Sequence, residues 1–241
     1  MMNIGEYIEA FEAQYQDPQM MSASFDERFQ AATDMVYQEK YNDKVKRAVR
    51  NAKLRFPKAD VHDIYYDPKR PVKRELIQEL STCRYVEENQ SVILQGYTSS
   101  GKTYLGCALA KEACRHTYRT RYIRLPNLLE EYAQKSLMPG GHEKVLTKYT
   151  NFKVLVIDEW LINDLSKDEL MFLFELSERR FDCTATIFCT LYRHSEWVAR
   201  LGGGTHAESI AERYRYNTIK VETGDINMRE IFSRVPAGAQ A

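Results

Sequence analysis

Ser91-Val92-Ile93-Leu94-Gln95-Gly96-Tyr97-Thr98-Ser99-Ser100-Gly101-Lys102-Thr103 is the stretch from which the rest of the chain is read. Its first five residues are a short apolar run of the kind that forms a strand buried on both faces. The next eight fit G-x-x-x-x-G-K-[ST] in full, and a helical pattern follows to about residue 116. The glycines let backbone N–H groups turn inward, and the start of the helix adds a partial positive charge. Together they make a cradle for phosphate oxygens. In such a cradle Gly96, Tyr97, Thr98, Ser99, Ser100 and Gly101 wrap the phosphates. Lys102 bridges the β- and γ-phosphates, and the Thr103 hydroxyl holds Mg2+. The expected ligands are therefore ATP and Mg2+.

Working outward, helix and strand alternate. A helix is expected over 73–88, strands over 91–95, 120–125, 153–158, 184–190 and 218–222, and helices between them. Ser166 with Glu169 reads as a capping box that opens a helix running to about residue 181. This alternation implies an α/β fold, a five-stranded parallel sheet covered by helices on both faces. The strand Val154-Leu155-Val156-Ile157 ends in Asp158-Glu159. Beside a phosphate loop, Asp158 is placed to hold Mg2+ through water and Glu159 to polarise the water that attacks the γ-phosphate. That second acid argues for hydrolysis and against a metabolite kinase. Beyond the fourth strand, Thr190 and Tyr192 are the polar candidates near the γ-phosphate; alternatively Thr190 only ends its strand. Arg213, on a short helical stretch before the last strand, either reaches a neighbouring subunit's γ-phosphate or pairs with Glu212 or Glu208.

The N-terminal third has a different texture. Ile4, Tyr7, Ile8, Phe11 and Tyr15 follow a helical spacing, Asp17-Pro18 to Ser24 breaks it, and Ser24 with Glu27 opens a second helical pattern. That pattern continues to Phe56-Pro57, and Asn42-Asp43 are placed to cap a further helix, giving two helices over this span. Residues 1–39 hold eight acidic side chains and one basic, net −7, whereas residues 44–58 hold seven basic ones and no acid, net +7. Lys44, Lys46, Arg47, Arg50, Lys53, Arg55 and Lys58 are accordingly the candidate contacts to a duplex DNA backbone, with a solvated helix face as the plain alternative. The acidic stretch is placed to cover that surface when DNA is absent. Pro57, Pro68 and Pro71 punctuate a linker. The expected organisation is an N-terminal extension over 1–24, a helical DNA-binding region with linker over 25–72, an ATPase domain over 73–235 and a tail over 236–241.

Composition excludes several classes. Over 241 residues the 34 Lys and Arg balance the 34 Asp and Glu, so neither a uniformly basic coating protein nor an acidic solvating chain fits. No apolar run approaches the roughly 20 residues of a membrane span, and the first residues lack the basic and apolar segments of a secretory signal. Five cysteines, none in a Cys-x-x-Cys pair, argue against a disulfide framework or a zinc site and for a cytoplasmic protein. The five histidines show no ligand spacing.

With these residues in view, the chain resembles the IstB/DnaC-like ATPases of the AAA+ superfamily, and among them the IstB-type transposition helpers of insertion sequences. The resemblance runs from about Phe25 to Val235, leaving the first 24 residues outside it. It rests on Leu54-Arg55-Phe56-Pro57, Gly96–Thr103, and Arg121–Pro126 followed by Leu128-Leu129. Further support comes from Val156–Glu159, Ser195-Glu196-Trp197, Ile210–Arg213 followed by Asn217, and Met228-Arg229. It implies that the strand over 184–190 lies between the phosphate-loop strand and the one ending at Asp158. It also implies that ATP sits between subunits of an ATP-dependent oligomer, that Arg213 acts in trans and that Arg229 is a second phosphate sensor. Only 12 residues follow Arg229, too few for the C-terminal helical lid of many AAA+ proteins. Two departures stand out. Leu191 occupies the first-sensor position, where the family has Asn or Gln, so hydrolysis is expected to be slow unless Thr190 substitutes. Glu212 stands where the family often has Asp. The implied function is a DNA-dependent ATPase that assists a transposase; the alternative is a DnaC-like replicative helicase loader.

Overall fold

Alternation along each strand sorts the apolar side chains into two layers. In β1 (Ser91–Gln95), Val92 and Leu94 join one buried cluster and Ile93 the other. In β3 (Val154–Trp160), Val154 and Val156 go one way, Leu155 and Ile157 the other. In β4 (Ala185–Thr190), Ala185, Ile187 and Cys189 separate from Phe188 in the same manner. With β2 (Thr120–Arg124) and β5 (Thr218–Glu222) these strands form one parallel sheet in the order β2-β3-β4-β1-β5. The fourth strand thus lies between the phosphate-loop strand and β3, as the resemblance implied. Strands buried on both faces need cover on both, and the helices supply it.

The computed structural model describes residues 4–233. The tail expected at 236–241 and the last two residues of the expected ATPase domain lie outside the described residues. The helices are α1 (Ile4–Gln14), α2 (Pro18–Met21), α3 (Phe25–Ala52), α4 (Arg74–Ser81), α5 (Arg84–Glu87) and α6 (Lys102–Arg115). After β2 come α7 (Leu125–Ser136), α8 (Gly141–Thr150), α9 (Lys167–Arg180), α10 (Trp197–Arg200), α11 (Gly204–Arg213) and α12 (Met228–Ile231). Among the described residues, only the four-residue α12 follows β5.

Contacts divide the chain into residues 1–47 and 48–241. In the first unit α1 packs on α3 through Ala10, Ala32 and Val36, with the Tyr7 and Phe11 rings about Phe29. Gln14 donates to the Arg28 carbonyl at 2.7 Å, and Lys40 pairs with Glu6 at 2.6 Å. Ser24 and Glu27 form the expected cap, the Ser24 N–H and hydroxyl both donating to Glu27 Oε2 at 2.8 Å.

Two local expectations are corrected. The span from Phe25 to Ala52 is one helix, not two. Asn42 accepts from Gln38 one turn back at 3.1 Å and Asp43 pairs with Lys46 one turn on at 3.3 Å, so both side chains bond along the helix surface instead of capping a new start. No Gly or Pro interrupts the run. Conversely, the helix expected over 73–88 is two short ones. Ser81 and Thr82 hydroxyls donate to the Gln78 and Glu79 carbonyls, and Cys83 turns left-handed at φ +60°.

In the second unit the sheet's lower edge is tied by Arg180, 1% exposed, which donates to the carbonyls of Tyr149, Phe152 and Ala185 and to the Thr186 hydroxyl at 2.6–3.0 Å. Burial lowers its pKa from the ordinary guanidinium value to about 10. The segment after α3 packs on α6. Asp60 accepts from Lys111 at 3.0 Å and Arg115 at 2.8 Å, and Ala52, Leu54, Ala59 and Val61 are buried.

Candidate nucleotide-binding site

Register sets the site. Arg124 stands opposite Asp158, and Gln95 opposite both Thr190 and Glu222, so the carboxyl ends of all five strands share one edge. Ligand crevices in open parallel sheets form there. The loop after β1 is held in a conformation that needs glycine at both ends. A Cβ on Gly96 would lie 2.2 Å from Thr223 Oγ1. Gly101 has φ +92°, and a Cβ there would lie 3.0 Å from Arg70 Nη2 and 3.2 Å from Met228 Cγ. The loop leads straight into α6, whose first residues are Lys102 and Thr103. Lys102 Nζ donates to the carbonyls of Gly96 and Tyr97, each at 2.7 Å. Burial lowers its pKa, opposed by the nearby Cys189 and Asp158.

Thr103 and Asp158 come together across α6 and β3. The Thr103 hydroxyl lies 2.9 and 3.2 Å from the two Asp158 oxygens. Asp158, 3% exposed, also accepts from the Tyr122 hydroxyl at 2.7 Å and the Glu159 N–H at 2.9 Å. Burial, then the Asp158 charge, raises the Tyr122 pKa, so the phenol stays a donor. Glu159 sits at φ +57°, where β3 bulges against β4. Its Oε2 accepts from Arg124 Nη2 at 2.6 Å, and its Oε1 faces Arg55 Nη1 at 3.9 Å. Among the described residues no three His, Cys, Asp or Glu side chains cluster as a metal site. A hydroxyl and one carboxylate suit Mg2+, a hard cation that keeps phosphate oxygens and waters as its other ligands.

A cavity of about 410 Å3 opens beside the loop, lined by Gly101, Lys102 and Thr103, by Arg55 and Phe56 before it and by Arg229 and Phe232 after β5. It therefore gathers the loop, the end of the basic run and the candidate second sensor. Thr190 is elsewhere engaged. Its buried hydroxyl donates to the Trp160 carbonyl at 3.2 Å and accepts from the Tyr192 N–H at 3.1 Å, while Leu191 is exposed. Arg213 pairs with Glu178 at 3.1 Å and lies over the Phe174 ring, not against Glu212 or Glu208 as expected for a surface pair. Glu212 instead takes Arg215. Lys44, Lys46, Arg47, Arg50, Lys53, Arg55 and Lys58 are all exposed.

Three site residues were not singled out from the sequence. Tyr122 and Arg124, two apart on β2, address the two acids of β3, a pairing fixed by register alone. Arg70 lies within the Pro-rich segment read as linker. It is 6% exposed and donates to the Ser100 carbonyl of the loop at 2.9 Å and to the Tyr65 carbonyl at 2.5 Å. The segment Arg121–Pro126, on which the resemblance partly rests, contains both Tyr122 and Arg124, whereas no sequence signal marks Arg70.

The family model described as IstB-like ATP binding protein matches residues 1–234. The match begins at the first residue, so the N-terminal 24 residues lie within the family's span and not beyond it. The ATP-binding protein of insertion sequence IS1162 from Pseudomonas fluorescens is 28% identical over 186 residues, which are 77% of this chain and 80% of that protein. Among solved structures, the DnaC helicase loader superposes with a TM-score of 0.57 at 18% identity, covering 68% of this chain and 96% of that one. The AMPPCP-bound DnaA of Aquifex aeolicus gives 0.58 at 18%, covering 72% and 52%. At such identities the structures speak for the fold alone. Among the described residues, no helix is long and apolar enough to cross a membrane.

Proposed function

This chain belongs to the family of IstB-like ATP-binding proteins, and from that premise we propose that it hydrolyses ATP, assembles on duplex DNA as an ATP-dependent oligomer and assists a transposase. The observation that carries the reading is the meeting of Lys102, Thr103, Asp158 and Glu159 at one strand edge, with Arg55 of the basic run lining a cavity with Lys102 and Thr103 and facing Glu159. The relative from insertion sequence IS1162 supports the transposition context.

The residues divide the work. The backbone N–H groups of Gly96–Gly101 cradle the phosphates, and Lys102 exchanges its two carbonyl acceptors for phosphate oxygens. The Thr103 hydroxyl, and Asp158 through water, would hold Mg2+, which would supply positive charge against those phosphates. Tyr122 and the Glu159 N–H fix the Asp158 carboxylate. Glu159 takes the proton of the attacking water. Arg229 meets the phosphates from the α12 side, and Arg213, on leaving Glu178, reaches the γ-phosphate bound by a neighbouring copy. Leu191 offers no hydrogen bond and the Thr190 hydroxyl is engaged, so turnover is slow. The basic run neutralises DNA phosphates.

Two experiments test this reading. Lys102→Ala should abolish nucleotide binding and ATP-dependent assembly on DNA; assembly at the wild-type level would overturn the mechanism. Reversing Lys46, Arg47 and Arg50 to Glu should weaken DNA binding and lower its salt slope by about three phosphate contacts. An unchanged slope would place DNA elsewhere on the protein.

A further inference from the structure

We propose that Arg55 is the positioning residue through which nucleic acid at the basic run controls hydrolysis: it stands on Oε1 of Glu159, and a backbone phosphodiester draws it away. The inference rests on the functional reading above.

The two oxygens of Glu159 have different neighbours. Oε2 is fixed by Arg124 Nη2 at 2.6 Å, a charge-assisted hydrogen bond. Oε1 has Arg55 Nη1 at 3.9 Å, an ion pair without a hydrogen bond. A carboxylate that is to accept a proton from water needs an oxygen with open lone pairs that the water can reach. Oε1 is the oxygen that can meet that need, and Arg55 stands on it. The guanidinium takes up space the water requires. Arg124 does the opposite service, because it orients the group through Oε2 and makes no bond to Oε1.

Arg55 is built to be moved. Its backbone is anchored, since Leu54 beside it is buried, the Phe56 ring lies against Tyr104 of α6, and Arg121 of β2 donates to the Asn51 carbonyl at 3.3 Å. Its side chain is 45% exposed, and beyond the Glu159 pair its guanidinium meets only the Phe56 ring, 5.8 Å from the centroid, among the contacts of the described residues. Arg50, Lys53 and Lys58, exposed within the same unit and with no acid among residues 44–58, draw a phosphodiester backbone to this end of the run. A phosphate offers the guanidinium two hydrogen-bonding oxygens, a better partner than a carboxylate oxygen at 3.9 Å. Arg55 therefore serves two acceptors in turn, and the exchange opens Oε1.

The test is steady-state turnover of the full chain at saturating ATP and Mg2+, with and without duplex DNA, for wild type, Arg55→Gln and Arg124→Gln. Arg55→Gln should raise the DNA-free rate about three- to tenfold and shrink the stimulation by DNA in proportion. Arg124→Gln should lower both rates. A folding defect can only lower the rate, so the rise separates positioning from structure. An Arg55→Gln chain whose DNA-free rate does not rise, or whose stimulation equals that of wild type, overturns the inference while the wild-type response to DNA stands. A wild-type chain that turns over no ATP, or turns it over without responding to DNA, overturns the functional reading instead.

Discussion

Arg70→Met tests whether the phosphate loop depends on a strut from outside it. The Arg70 guanidinium is almost wholly buried, donates to Ser100 O at 2.9 Å and Tyr65 O at 2.5 Å, and sits where a Cβ on Gly101 would nearly touch it. Methionine keeps most of the side-chain length and removes both donors. Two charge-assisted hydrogen bonds are worth about 1.5–3 kcal/mol each, and the carbonyls left behind are shielded from water. Against this, burial already disfavours the charged form, as the lowered Arg70 pKa shows, so removing the charge returns part of that cost. The net loss is about 2–4 kcal/mol, which for a unit of this size lowers Tm by about 4–16 °C. The loop should suffer beyond its share, because Ser100 O is one of the two carbonyls released. Thermal melts with and without Mg·ATP measure both effects: the midpoint falls, and the shift given by nucleotide shrinks. A variant that melts within about 2 °C of wild type and keeps the full nucleotide shift would refute the strut.

Three further outcomes follow from the same geometry. Arg180→Met removes the donor to three carbonyls and the Thr186 hydroxyl and should cost about 3–5 kcal/mol in denaturant unfolding; a loss under about 1 kcal/mol would mean that charge burial cancels those bonds. Burial alone would raise the Asp60 pKa, but hydrogen bonds from His62, Lys111 and Arg115 outweigh it and hold the carboxyl well below its ordinary range. The stability this supplies is therefore present above the unfolded carboxyl pKa and lost as pH falls through the folded one. Asp60→Asn should flatten the acid limb of melts taken from about pH 5 to pH 2, and an unaltered limb would discount the network. Glu178→Gln releases Arg213 from its pair and should raise turnover at high protein concentration up to about fivefold, whereas Arg213→Ala should abolish turnover and spare ATP binding; equal rates in both variants would remove Arg213 from the chemistry.

Local signals were legible because they act over a few residues. The Ser166–Glu169 capping box forms as read, with Ser166 N–H donating to Glu169 Oε2 at 2.7 Å, and β1 and β5 begin and end where their apolar runs do. The glycine pair of the loop told its own story, since few other patterns need such backbone freedom beside a lysine. Short-range rules misled where two of them competed. Asn42-Asp43 are good caps in isolation, but a helix already propagating holds them within it, because extending it costs less than nucleating another.

What the sequence by itself determined is the chemistry available: a phosphate loop, two acids at a strand end, a basic run of seven and the alternation that makes a parallel sheet. The tertiary structure decided which groups restrain that chemistry. Arg70 reaches Ser100 across 30 residues, Tyr122 reaches Asp158 across 36, and Arg124 reaches Glu159 across 35. Helical and strand periodicities fix which face a side chain takes, but not what stands opposite it. That partner is set by strand order and register, which exist only once the sheet has closed around its core.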